Sequence, residues 1–176
     1  MALAPVPLTI PSHATLFTGL LPPHHGVRDN GDMRLSEEAW TLAESLQSSG
    51  YHTQASVGAF VTQEHWGFGQ GFDVYRDQLG VPSDRLSWRA ERTADLVVDD
   101  ALAALAEGTD FLWVHLFDAH QPYQAPEPYA SALADPYDAE LAWVDSQLGR
   151  LLDVLNEQDL VVVVGDHGEG LGENGE

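Results

Sequence analysis

Two hydrophobic periods alternate along this chain, and the points where they switch mark its elements. Ala4 to Leu8 is proline-spaced and extended, and Ser12 to Leu20 has helical composition behind Pro11, a residue suited to a first helical turn. Pro22-Pro23 ends that helix, and Asp29-Asn30-Gly31 reads as a turn. Ser36 is placed to cap a second helix, with Glu37 and Glu38 in its first turn, Leu42, Ala43 and Leu46 on one face, and Gly50 closing it. Tyr51 to Val57 has the branched residues of a strand, and Gly67 to Gly71 reads as a loop. A long helix is predicted from about Asp84 to Glu107, ending at Gly108. Phe111 to Phe117 reads as a buried strand, and Asp118 to Pro136 as a proline-rich loop. Tyr137 to Glu157 carries Leu141, Val144, Leu148, Leu151 and Leu155 on one helical stripe. Leu160 to Gly165, with four consecutive valines, reads as a last buried strand.

Helices and strands alternate in this order, which predicts an α/β fold with a mainly parallel sheet flanked by helices. Ligands of such sheets sit beyond the carboxyl ends of the strands. His120 and Asp166 fall just past two of those ends, so one crevice can hold both.

The chain has 176 residues and a hydrophobic content of 44%, enough for one domain with a real core. No apolar run approaches the roughly 18 residues of a transmembrane helix, and Met1 to Pro5 lacks the basic start of a secretory signal. The net charge is −21, and all seven basic residues are arginine. That field repels nucleic acid and anionic membranes, so neither is expected as a partner. An anionic substrate would need a cation to offset it. There is no cysteine, which excludes disulfides, thiolate metal sites and cysteine nucleophiles.

Three segments carry candidate chemistry. In Thr9-Ile-Pro-Ser-His13 an extended stretch delivers Thr9 to a helix start. Unpaired N–H groups and the helix dipole suit an anionic group there and help a hydroxyl ionise; alternatively, Thr9 or Ser12 simply caps the helix. In Asp166-His167-Gly-Glu169 a carboxylate and an imidazole follow a predicted strand, with glycines that let the backbone turn close to an ion. Those donors suit Zn²⁺ or Mn²⁺, or Ca²⁺ or Mg²⁺ where oxygen dominates, and such an ion could ionise Thr9 and polarise an ester oxygen. The plainer reading is an acidic turn with His167 paired to a carboxylate. In Asp118-Ala-His120-Gln-Pro-Tyr123, His120 either contacts a substrate oxyanion or protonates a leaving group, or bonds to a neighbour in its loop. Arg28 fits an ion pair or turn better than an oxyanion grip, and Asp145 reads as a polar-face residue of its helix.

Taken together, these segments resemble the sulfatase family of the alkaline phosphatase superfamily. Thr9 to Gly19 resembles its nucleophile motif, and His25 to Gly31 the stretch that follows. His115 to Tyr123 resembles its substrate-side histidine loop, Tyr137 to Asp145 the next helix, and Gly165 to Glu173 its metal motif. The resemblance implies an alkaline-phosphatase/sulfatase-like α/β fold, with residues 1–176 forming a partial catalytic domain, incomplete at both ends. By position, Thr9 matches the nucleophile and a metal ligand, His13 a usually basic position, His120 the histidine near the ester, and Asp166 and His167 metal ligands. A divalent ion (Ca, Mg, Mn or Zn) and a small anionic ester substrate are implied.

The chain departs from that pattern in three ways. Sulfatases proper use a formylglycine made from Cys or Ser, and the methyl on the Cβ of Thr9 blocks that aldehyde. Sulfate is ejected from a formylglycine hydrate by elimination, a route closed to a threonine alkoxide, so Thr9 favours phosphate-type esters through a phospho-threonine. The family's opening strand with paired aspartates is expected upstream of Met1, and its closing strands and a basic residue beyond Glu176. Asn174 stands where a histidine is frequent. The expected function is therefore a metal-dependent hydrolase of sulfate or phosphate esters with a threonine nucleophile. Its alternatives are a non-catalytic metal- or partner-binding relative and a phospho-group transferase with the same chemistry at Thr9.

Overall fold

A three-stranded, all-parallel sheet in the order β2-β1-β3 organises the chain, as the alternating pattern predicts. The structure, a computed structural model, describes residues 3–79 and 90–172. The strands are β1 (Thr53–Val57), β2 (Val74–Arg76) and β3 (Phe111–His115). The helices are α1 (Thr9–Thr18), α2 (Pro22–His25), α3 (Leu42–Ser48), α4 (Ala94–Ala106), α5 (Tyr129–Ala132) and α6 (Pro136–Leu152). Trp88 and the first residues of the predicted 84–107 helix lie outside the described residues, as does Asn174.

The central strand β1 is buried along its whole length, and alternate side chains serve opposite faces. On one face Ser56 Oγ donates to the Val97 carbonyl of α4 at 3.0 Å. Val97, Val98, Ala101 and Ala104 of α4 are fully buried there, and α6 packs outside α4. On the other face lies α1. Its Ile10, Ala14 and Phe17 join Val27, Leu35, Trp66 and Phe68 in one core cluster. Phe17 meets Trp113 of β3 edge-on at 4.7 Å between ring centres. Because β3 alternates, His115 shares the face of Phe111 and Trp113, the α1 side of the sheet.

Four expectations need correcting. The α3 cap is Thr41, not Ser36: Thr41 Oγ1 accepts from Glu44 N–H while the Glu44 carboxylate accepts from Thr41 N–H, a reciprocal box that a serine five residues earlier cannot form. Leu42 consequently faces solvent and Ala43 the core. On α6 the buried positions are Ala139, Glu140 and Gln147 rather than the leucine stripe, and Leu141 is exposed. The short strand β2 has no counterpart in the sequence reading. Finally, Leu160 to Gly165 pairs with no strand among the described residues, and Val162 and Val163 are 77% and 75% exposed. Branched residues favour a pleat only where a neighbouring edge supplies hydrogen bonds, and no described segment pairs with this one.

Gly71 fits a demand no other residue meets. Its φ is +81°, and a Cβ there would lie 2.1 Å from Glu44 N, at the start of α3.

Ile10 anchors α1 in the core with no exposed surface. Ile10→Ala is expected to lower unfolding free energy by about 2–5 kcal/mol in urea titrations. A loss under about 1 kcal/mol would show that α1 is not seated as described.

Candidate active site

The site forms where the start of α1 meets the turn after Gly165. Leu8, extended at φ −145° and ψ 136°, delivers Thr9 as the first helical residue, with Pro11 inside the first turn. Leu8 offers no side-chain cap. Asn30 supplies one from a distance: its Oδ1 accepts from Ile10 N–H at 2.8 Å. The predicted Asp29-Asn30-Gly31 turn thus secures the helix end that presents Thr9, while Arg28 beside it is exposed.

Thr9 is 4% exposed, and its Oγ1 lies 3.2 Å from His167 Nε2. His167 Nδ1 lies 2.8 Å from the Gly168 carbonyl, which can only accept, so Nδ1 carries the hydrogen. Nε2 then presents its lone pair to the Thr9 hydroxyl. Asp166 Oδ2 lies 3.5 Å from His167 Nε2 and 3.6 Å from His13 Nδ1. His13 Nδ1 donates to the Thr9 carbonyl at 2.9 Å, and Ser12 Oγ donates to the Asp166 carbonyl at 2.6 Å. Three residues of α1, Thr9, Ser12 and His13, therefore meet the Asp166-His167 turn.

His13 is buried among Phe68, Trp113 and His115, with ring centres 6.1, 5.5 and 5.0 Å away. Burial pushes its pKa down, against the opposing pull of Asp166. His115 is held well below the usual imidazole range, first by burial and then by His13 and His167. Thr62 Oγ1 donates to the Ala59 carbonyl, so His115 Nδ1 is the donor in the 3.3 Å contact to Thr62 Oγ1.

A cavity of about 190 Å³ opens over these groups, lined by Thr9, His115, Phe117, His120, Tyr137, Asp166, His167 and Glu169, among others. All three predicted segments thus meet in one place. His13 stands behind the cavity wall, in contact with Thr9. His120 stacks on Phe117 at 4.4 Å and 20°, and its Nδ1 donates to the Gln121 carbonyl at 2.8 Å. Tyr123 Oη donates to Glu169 Oε1 at 2.8 Å, tying the His120 loop to the 166–169 turn. His115 and Tyr137 were not singled out from the sequence as site residues. A period of two along β3 from Trp113 identifies the face that His115 occupies.

Thr9 Oγ1, Asp166 Oδ2 and His167 Nε2 fit part of a divalent-metal shell. Their 3.2 and 3.5 Å separations match neighbouring ligands at roughly 2.1 Å from one ion, and their oxygen and nitrogen chemistry suits one. Among the described residues no group of three or more His, Cys, Asp or Glu could hold a metal by itself.

A fold and a site of this kind define a protein of the alkaline phosphatase superfamily. The chain belongs to the sulfatase family, whose model matches residues 2–176. Solved structures agree on the fold. A protein of the alkaline phosphatase superfamily from Vibrio parahaemolyticus shares 25% identity at a TM-score of 0.57, over 81% of this chain and 37% of that one. A putative sulfatase from Bacteroides fragilis shares 16% at 0.65, over 86% and 49%. The phosphonate monoester hydrolase of Agrobacterium radiobacter shares 16% at 0.65, over 85% and 50%. The chain thus spans between about a third and a half of these proteins' lengths. No curated protein matched it. Members of the superfamily typically use a divalent metal.

The buried imidazoles set a pH dependence of stability. A neutral His115 refuses a proton that the unfolded chain accepts near 6.5, so its contribution is complete above that pH and is lost as pH falls through it. Urea unfolding from about pH 7.5 to about pH 5.5 is expected to show a smaller loss in His115→Asn than in the parent. Parallel profiles would contradict a buried neutral His115.

Proposed function

We propose that residues 1–176 form part of the catalytic domain of a metal-dependent ester hydrolase, with Thr9 as nucleophile and phosphate-type esters favoured over sulfate esters. One observation carries this reading: a nearly buried threonine hydroxyl, first in a helix, 3.2 Å from an imidazole lone pair. A merely capping threonine would bond to its own helix. This one instead faces the cavity that also holds His120.

A divalent ion bound by Thr9, Asp166 and His167 would favour the alkoxide of Thr9 and offset the charge of the substrate. The start of α1 adds partial positive charge on the same side. Thr9 gives up its hydroxyl proton to solvent, its Oγ attacks phosphorus, and a new P–O bond forms. The bond to the leaving alcohol breaks, and its oxygen takes a proton from a group on the cavity wall, a role His120 suits. Water then attacks the phospho-threonine, freeing phosphate and returning Thr9. His13 holds the Thr9 carbonyl, and Ser12 the Asp166 carbonyl, so nucleophile and turn stay in register. The methyl on the Cβ of Thr9 bars formylglycine and, with it, the elimination route that suits sulfate.

A non-catalytic, cation-binding relative is the second reading. What favours it is the partial donor set beside Thr9.

Aryl phosphate is expected to be hydrolysed faster than aryl sulfate, and chelation is expected to stop turnover. Thr9→Ala is expected to cost about a thousandfold or more in kcat, with folding retained by circular dichroism. Parent-like turnover by Thr9→Ala would remove the proposed nucleophile. Metal uptake without hydrolysis of either ester would favour the second reading.

A further inference from the structure

The loop that carries His120 lines two cavities, with neighbouring residues facing each. On one side is the pocket over Thr9, lined by Ala119 and His120. On the other is a cavity of about 270 Å³, lined by Glu91, Asp118, Gln124, Glu140 and Trp143, among others. His120 makes its ring stack and its hydrogen bond within its own loop, to Phe117 and Gln121. Nothing in that local pattern stops the whole loop from sinking into the larger cavity. Tyr123 ties the loop to Glu169 on the pocket side, and on the other side a carboxylate holds it near each end.

At the near end Asp118 Oδ1 accepts from Ala94 N–H, the first residue of α4, at 2.8 Å, and from Trp143 Nε1 of α6 at 3.1 Å. At the far end Gln124 N–H donates to Glu140 Oε1. Glu140 is 3% exposed, and that bond is the one hydrogen bond of its carboxylate among the described residues. Burial, with the nearby carboxyl groups of Asp118 and Glu91, pushes its pKa up against the opposing bond from Gln124 N–H; Arg92, which lines the same cavity, pairs with Asp100. A buried acid beside other carboxyl groups is unfavourable as packing unless its oxygen is used, here as the acceptor for Gln124 N–H. The geometry accounts for it as a bracket: α6 is a rigid element, and Glu140 fixes on it the end of a loop without regular structure.

We propose that Glu140 is a positioning residue that acts through Gln124, and with Asp118 at the other end holds His120 over the pocket of Thr9. This rests on the reading of His120 as proton donor to the leaving group.

The test compares two phosphate monoesters, 4-nitrophenyl phosphate with a good leaving group and a simple alkyl phosphate with a poor one. His120→Ala is expected to lose about a hundredfold in kcat on the alkyl ester and little on the nitrophenyl ester, which needs no proton. Glu140→Ala is expected to show the same selective loss, about tenfold or more on the alkyl ester, and to add nothing in the double variant with His120→Ala. Glu140→Gln, which keeps an oxygen acceptor for Gln124 N–H, is expected to restore the alkyl activity. Where Glu140→Ala does not fold, Glu140→Asp, with shorter reach, gives the same comparison. Equal losses on both esters, or losses that add to those of His120→Ala, would overturn the positioning role. A His120→Ala variant without leaving-group dependence would instead overturn the proton-donor reading, visibly apart from Glu140. No hydrolysis by the parent would overturn the ester-hydrolase reading and this inference with it.

Discussion

Everything at the site depends on the contact between the first turn of α1 and the Asp166-His167 turn, more than 150 residues later in sequence. Neither partner can do chemistry alone. A helix start offers a hydroxyl and a partial positive charge, and an acid-imidazole turn offers ligands. Thr9 Oγ1 to His167 Nε2 and Ser12 Oγ to the Asp166 carbonyl join them at 3.2 and 2.6 Å. The contact is possible because α1 is sunk into the core, with residues from Thr9 to Ala14 all buried. Packing against Phe68 and Trp113 fixes the helix, and Asn30 completes its end. The chemistry thus rests on ordinary hydrophobic burial beneath the site, where a shift of about 1 Å would matter.

Electrostatics sets the second constraint. A chain of net charge −21 is a poor host for an anionic ester. Around Thr9 the buried imidazoles add no positive charge, since burial pushes the pKa of His13 and His115 down, while Asp166 and Glu169 both line the cavity. In the proposed mechanism the α1 terminus supplies positive potential, and a bound cation would add to it. Behind the His120 loop, Glu91, Asp118 and Glu140 are raised in pKa by burial. Those carboxylates serve the backbone rather than a ligand, two of them as acceptors of loop and helix N–H groups.

What the sequence disclosed was local chemistry. Thr9 before Pro11 announces a helix start, and Asp-His-Gly after valines announces a turn that can approach an ion. Parallel strands followed from alternating elements, and the family from motifs spread along the chain. Long-range partnerships were hidden, because nothing near Asn30 says that it caps Ile10 and nothing near Glu140 says that it faces Gln124. The α3 boundary was readable and was misplaced: Thr41-Leu-Ala-Glu44 is a capping box, and it outweighs an isolated Ser36. On α6 the leucine stripe suggested an apolar interior, whereas the inward residues Glu140 and Gln147 serve polar needs. The valines of 161–164 mislead for a different reason. Composition states a preference for a sheet, but pairing requires an edge, and no described strand offers one.

The most direct test of the account is rapid acid quenching of the metal-loaded protein during turnover of an aryl phosphate, followed by peptide mass spectrometry. A covalent mechanism at Thr9 predicts a phosphorylated peptide containing Thr9 that appears within the first turnover and decays as substrate runs out. Turnover without that adduct, or with phosphate on another residue, would contradict it.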